Sequence, residues 1–145
     1  MTAHTRRIVG ALTLVVVAAL VVACSAQKTA DLVGKTWQLT QISEKQPMYE
    51  FAVPADQQAN YTILFNADGT ASIKADCNTV GATWKEGPGA GITITPGPSS
   101  LVACAPGSQG DRFVQDLGRT VSYGVNGSTL KLTQSDASEL TLTAK

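Results

Sequence analysis

The stretch Tyr61-Thr62-Ile63-Leu64-Phe65-Asn66-Ala67-Asp68-Gly69-Thr70-Ala71-Ser72-Ile73-Lys74-Ala75 carries the clearest structural signal in the chain. Tyr61, Ile63 and Phe65 share one face of an extended segment, and Ala71, Ile73 and Ala75 share one face of the next. Between them, Asn66-Ala67-Asp68-Gly69 supplies residues that tolerate the positive φ of tight hairpin turns. The stretch therefore predicts an antiparallel hairpin with one buried face. A calcium loop is the competing reading of the same turn. Placing Gly69 at loop position 6 puts Leu64 at position 1 and Ala75 at position 12, where carboxylates are required, so calcium is rejected.

Similar signals extend in both directions. Trp37 and Leu39 alternate with Gln38 and Thr40 in an opening strand, while residues 43–60, with Pro47 and Pro54, read as a long loop. Gly81–Lys85 and Gly91–Thr95 predict two strands split by a Gly/Pro turn, and Pro96-Gly97-Pro98 predicts a break in the sheet. Residues 108–118 predict the single helix. Phe113, Val114 and Leu117 form its apolar stripe, Ser108 its N-cap with Asp111 three residues on, and Gly118 its stop. Val121, Tyr123 and Val125 alternate, Asn126-Gly127 turns, and Leu130, Leu132, Leu140 and Leu142 complete two closing strands. About seven short strands and one short helix predict a mainly β fold, a small antiparallel barrel or curled sheet.

The N-terminus reads differently. Arg6-Arg7 precedes an apolar run from Ile8 to Ala23, the n-region and h-region of a secretory signal. As a helix, that run spans roughly 24 Å, short of a hydrocarbon core of roughly 30 Å. It ends Val21-Val22-Ala23-Cys24, which resembles the bacterial lipobox and implies cleavage before Cys24 and acylation of its thiol. Arg6-Arg7 also resembles a twin-arginine signal, but Ile8-Val9-Gly10 fits that pattern poorly, so general secretion is expected. The expected organisation is a lipoprotein signal peptide at 1–23, a lipidated tether at 24–31 and a folded domain at 32–145. The expected location is the exported face of a cell membrane or envelope.

The chain has 145 residues, balances 11 basic against 11 acidic residues and has one histidine, His4. Zero net charge argues against a broad electrostatic grip on nucleic acid. His4 leaves with the signal, which excludes a Ser-His-Asp triad, a Cys-His pair or a histidine metal site from the mature domain. Once Cys24 takes lipid, Cys77 and Cys104 remain as an even pair in an oxidising compartment. A structural disulfide is expected. The alternatives are two buried free thiols or a redox pair, although redox pairs are usually C-x-x-C.

Set in order, these motifs resemble the META domain family, which includes a bacterial heat-shock lipoprotein. Leu32-x-Gly34-x-x-Trp37-x-Leu39 is similar to its opening strand. Phe65-x-x-x-Gly69 and Cys77-Asn78-x-x-Gly81 are similar to its central motif, with Trp84 near an aromatic position. Ser100-x-x-Ala103-Cys104 is similar to its second cysteine motif. Phe113 and Leu117 fit its helix, and Leu130, Leu132 and Leu140 its closing hairpin. The resemblance covers roughly residues 32–144 and implies a lipocalin-like β fold with one helix and no established catalytic residues. Asp76 replaces the usual Gly, so a different bend before Cys77 is expected. Asp111 stands where Glu is common.

Three functions follow as expectations. The first is a lipid-anchored, non-enzymatic envelope domain that binds or supports a partner, stress-linked roles included, with neither cofactor nor metal and the partner's chemistry open. Asn78 is expected to bond its own turn rather than a ligand, and Trp84 to lie in the core. The second is a lipocalin-like carrier of a small apolar ligand, which needs an apolar pocket above roughly 300 Å³. The third is a carboxylate enzyme, which needs two buried carboxylates roughly 5–9 Å apart in a cleft.

Overall fold

The computed structural model describes residues 31–145. The strands in order are β1 (Thr36–Lys45), β2 (Met48–Ala52), β3 (Tyr61–Phe65), β4 (Thr70–Ala75), β5 (Asn78–Glu86), β6 (Ile92–Ser99), β7 (Thr120–Asn126), β8 (Thr129–Gln134) and β9 (Glu139–Ala144). One helix, α1 (Gly110–Gly118), stands between β6 and β7. The expected signal peptide, Cys24 and all but one residue of the expected tether lie outside the described residues.

Eight strands form a single curled antiparallel sheet in the order β6-β5-β4-β3-β1-β9-β8-β7, with β2 added beside β1. The expected fold is the observed one: mainly β, curled into a half-barrel, with one short helix. The end strands touch at a single bridge between Gly91 and Ser122, joined by a bond from the Tyr123 N–H to the Ala90 carbonyl at 2.9 Å. The helix carries Phe113 and Leu117 into the apolar core, where both are fully buried. The concave face is filled by side chains, with Trp37, Ile63, Phe65, Ile94, Leu130 and Leu142 all but inaccessible to solvent.

The hairpin at 61–75 forms as read, with Ile63 opposite Ile73 and Gly69 at φ 83° in the turn. Trp84 lies in the core edge-on to Phe65 at 5.4 Å, and its indole N–H donates to the Asn66 carbonyl at 3.0 Å.

Four expectations need correction. Residues 43–60 are not one loop: β1 runs to Lys45 and β2 returns across a two-residue turn at Gln46-Pro47. Their wet faces are held by cross-strand polar pairs, Gln41 and Ser43 to Glu50, which carry no apolar alternation to read. Second, β6 continues through Pro96 and Pro98 to Ser99. As the last strand of the sheet it is paired along its length only to β5, so prolines cost no ladder bonds on its outer edge. Third, Val121 is exposed and Thr120 is buried, because a register shift between Thr120 and Ser122 reverses the pleat. Fourth, α1 starts at Gly110, two residues after Ser108, although the Ser108 hydroxyl still accepts the Gly110 N–H at 3.2 Å.

Asp76 takes φ 61°, the left-handed region that glycine enters freely and aspartate tolerates. The backbone there is therefore one that a glycine would also supply. Cys77 and Cys104 stand at disulfide distance, with Cα atoms 5.5 Å apart.

Two stability predictions follow from this packing. Chain-entropy arithmetic gives about 3.5 kcal/mol for a bridge closing a loop of this length. Reduction, or the double change Cys77→Ala and Cys104→Ala, should lower stability by roughly 2–4 kcal/mol and the Tm by on the order of 10 °C. Urea and thermal denaturation would check this, and an unchanged midpoint would refute it. At Gly110 a Cβ would lie 2.6 Å from the Ala75 carbonyl oxygen, a backbone atom that cannot rotate away. Gly110→Ala should therefore destabilise by roughly 1–3 kcal/mol despite alanine's better helix propensity, as read from the urea midpoint.

Candidate functional site

Two polar constellations stand out, one on each side of α1. The first surrounds the disulfide. Asn78 follows Cys77 and reaches across to the 99–108 loop, not to its own turn. Its amide donates to the Val102 carbonyl at 2.9 Å, and its side-chain oxygen accepts the Val102 N–H at 2.9 Å and the Ser100 hydroxyl at 3.1 Å. The Ser100 hydroxyl in turn accepts the Thr79 N–H at 3.0 Å. A covalent bridge and a bidentate amide thus fasten one irregular loop to the start of β5. The fastened loop nevertheless presents Leu101, 96% exposed, and Val102, 57% exposed.

Beside that loop lies a cleft of about 420 Å³. Its floor is Ala75, Val80 and Gly97 from β4, β5 and β6, one wall is Val114 and Gln115 of α1, and Leu101 forms part of its rim. A smaller depression of about 270 Å³ under residues 102–108 shares Asn78 and Asp111 with it. The cleft opens between helix and sheet, and its floor residues Ala75 and Val80 belong to the edge of the buried apolar core. The Asp111 that departs from the usual Glu lines both hollows.

The second constellation is buried where side chains of α1 meet Glu44 of β1 and Gln134 of β8. Asp116 is 1% exposed and Glu44 is 6% exposed. The two carboxyl groups lie within hydrogen-bonding reach of one another. Neither Asp116 oxygen finds a donor among the described residues, and the Gln134 side-chain oxygen beside it is also unsatisfied. Arg119 approaches Asp116 at 3.5 Å but makes its closer pair with Asp136 at 2.7 Å. Arg112 pairs with Glu44 at 2.5 Å and lies over the Tyr49 ring at 4.0 Å. The Thr120 hydroxyl and the Gln134 amide both donate to the Asp116 backbone carbonyl, which fixes that residue in place.

The electrostatic outcome is that burial, and then the neighbouring Glu44 charge, raise the Asp116 carboxyl from its ordinary range to about 6. The arginines act in the opposite direction and do not cancel this. Glu44 in turn holds the Arg112 guanidinium more firmly charged.

Of the sequence-predicted residues, the structure brings Cys77 and Cys104 together, while Cys24 lies outside the described residues. Sequence reading missed Glu44, Asp116, Arg112 and Gln134. One signal was available for Asp116: it stands three residues after Phe113 and one before Leu117, on the helix face that enters the core. Among the described residues there is no group of three or more His, Cys, Asp or Glu placed to hold a metal ion, and no helix long and apolar enough to cross a membrane.

Solved structures of other proteins share the fold. A protein from Burkholderia xenovorans, solved by NMR, superposes with a TM-score of 0.63 at 21% identity, covering 79% of this chain and 83% of its own. A crystal structure of a DUF4847 family protein from Bacteroides vulgatus ATCC 8482 superposes with a TM-score of 0.55 at 14% identity, covering 77% and 93%. No curated protein matches the chain. The family profile described as META domain matches residues 30–145, a span that takes in the hairpin, both cysteines and the helix, and the chain belongs to the META domain family.

Proposed function

We propose that this chain is a lipid-anchored, non-enzymatic binding domain of the cell envelope, and that it works through the disulfide-fastened loop and the cleft beside it. The observation that carries this reading is the combination of restraint and exposure at Leu101 and Val102. Exposed apolar side chains on a free loop lose entropy when a partner covers them. On a loop already held by a disulfide and by Asn78, most of that cost has been met in folding. The loop also lies at the far end of β3 and β4 from Leu32 and Gly34, whose N–H bonds the Phe65 carbonyl. The partner this surface fits is a protein offering an apolar side chain to the cleft.

The filled interior supports this reading over a lipocalin-type barrel carrier. The outer cleft, at about 420 Å³, falls within the range of small-ligand sites and favours a small apolar ligand there as the second reading. A carboxylate hydrolase is not favoured by Glu44 and Asp116, since both are buried and neither lines the cleft.

A photoreactive residue in place of Leu101, in the full chain in cells, should give a discrete envelope-protein adduct. The adduct should weaken on adding Asn78→Ala, which leaves the loop held by the disulfide alone. The same residue in place of Val121, also apolar and exposed but outside the cleft, should give none. Equal labelling at both positions, or none at Leu101, would overturn the reading. An independent arm tests the anchor: Cys24→Ser should move the protein from the detergent to the aqueous phase or leave an uncleaved precursor, and unchanged partitioning would refute lipidation.

A further inference from the structure

We infer that α1 is latched to the sheet by a proton shared between the carboxyl groups of Asp116 and Glu44, so that docking of the helix is controlled by pH. This inference stands apart from the binding reading above and rests on geometry. Two ionised carboxylates are both acceptors and cannot bond each other. Here they are in hydrogen-bonding reach inside the protein, and Asp116 has no other hydrogen-bond donor among the described residues. Burying such an oxygen pair as an anion without donors is strongly unfavourable, whereas one proton converts the contact into a short charge-assisted bond.

From β1 comes Glu44 itself, from α1 Arg112, and from the end of the helix Arg119. Tyr49 of β2 lies against Arg112, Thr120 of β7 and Gln134 of β8 bond the Asp116 backbone, and Asp136 of the β8–β9 turn draws Arg119 outward. Each arginine therefore has a better carboxylate partner than Asp116, at 2.5 Å for Arg112 and 2.7 Å for Arg119. The charge that would stabilise an Asp116 anion is already engaged elsewhere.

The direction of the pH effect follows. The folded Asp116 carboxyl titrates at about 6, above its ordinary 3.8, so the docked helix holds a proton that the released helix gives up. The stabilisation is complete below the ordinary value and is lost as pH rises through about 6. Asp136, Glu50 and Asp68 are shifted the other way by hydrogen bonds, to Ser138, Ser43 and Thr70 respectively, and stabilise the fold at higher pH. Global unfolding mixes these opposite contributions. Local opening of α1 separates them.

The test is hydrogen exchange of backbone amides, read by mass spectrometry on the full chain in detergent and corrected for the intrinsic pH dependence of exchange. Peptides covering residues 113–119 should open about tenfold more at pH 8 than at pH 5, while β5 peptides serve as an unresponsive reference. In Asp116→Asn, whose amide donates to Glu44 at every pH, the difference should vanish. If that variant fails to fold, Glu44→Gln replaces it: its amide donates to Asp116 without a titrating proton, and the difference should shrink. Protection of α1 that is the same at both pH values in the wild type, or a difference that persists unchanged in the variants, would overturn the latch.

Discussion

Strand β1 is paired on both edges, to β9 along one side and to β3 and then β2 along the other, and it holds one extra residue at Thr40. Side chains in a strand alternate, so one inserted residue reverses the face of everything after it. Trp37 and Leu39 point inward before the bulge, and Ile42 and Glu44 point inward after it. The bulge is held by a bond from the Thr40 hydroxyl to the Thr141 carbonyl and by one from the Val53 N–H to the Thr40 carbonyl, both at 2.9 Å. Without it, Ser43 would enter the core and Glu44 would face water. A carboxylate sent inward then needs Arg112, and Arg112 and Asp116 are both on α1. The position of α1 is thus tied to a single irregularity in the strand on which most of the sheet is assembled.

The disulfide works on the other side of the same helix. Between Cys77 and Cys104 the chain makes the β5–β6 hairpin and the irregular loop, with five glycines and three prolines along the way. Glycine-rich chain loses the most freedom on folding. Closing that stretch with a covalent bond restricts the unfolded chain, and Asn78 completes the restriction in the folded one. The prolines at 96 and 98 add a second effect, because they remove donors from the edge of β6, where another strand would otherwise pair. A sheet that curls without closing has two such edges. The helix, the bridge at Gly91 and these prolines together leave little of them open.

What could be read from the chain followed the regular pleat. Tyr61–Ala75, Leu130, Leu132, Leu140 and Leu142 alternate without interruption, and all their inward residues are buried as read. Reading failed at two of the three register shifts, since Val121 is itself the inserted residue of one, Glu44 sits beyond another, and an inserted residue leaves no mark in hydropathy. It failed at β2, which is amphipathic only through Tyr49 and Phe51, and at β6, where proline signals a break unless one knows the strand is an edge. The cysteine pair was legible from counting, since two cysteines stand in the domain once Cys24 is set aside. The cleft was not, because Ala75, Val80, Gly97 and Val114 are ordinary small or apolar residues that become a hollow only when three strands and a helix meet.

The two constellations have α1 in common, and this has a physical consequence. At nine residues the helix is roughly 13 Å long, too short to bend appreciably, so it moves as one body. Phe113, Asp116 and Leu117 make its buried face, while Asp111, Val114 and Gln115 make a wall of the cleft. Its N-terminal end is fixed closely, since Gly110 touches the Ala75 backbone and Gln109 is held by Tyr49 and Tyr61. Its C-terminal end is held by the carboxyl pair and by Arg119. A rod pinned at one end and latched at the other pivots when the latch weakens, and the wall at Gln115 then moves farther than the wall at Asp111. The cleft and the buried acid pair are therefore mechanically linked through one short helix, with no need of a path through the sheet.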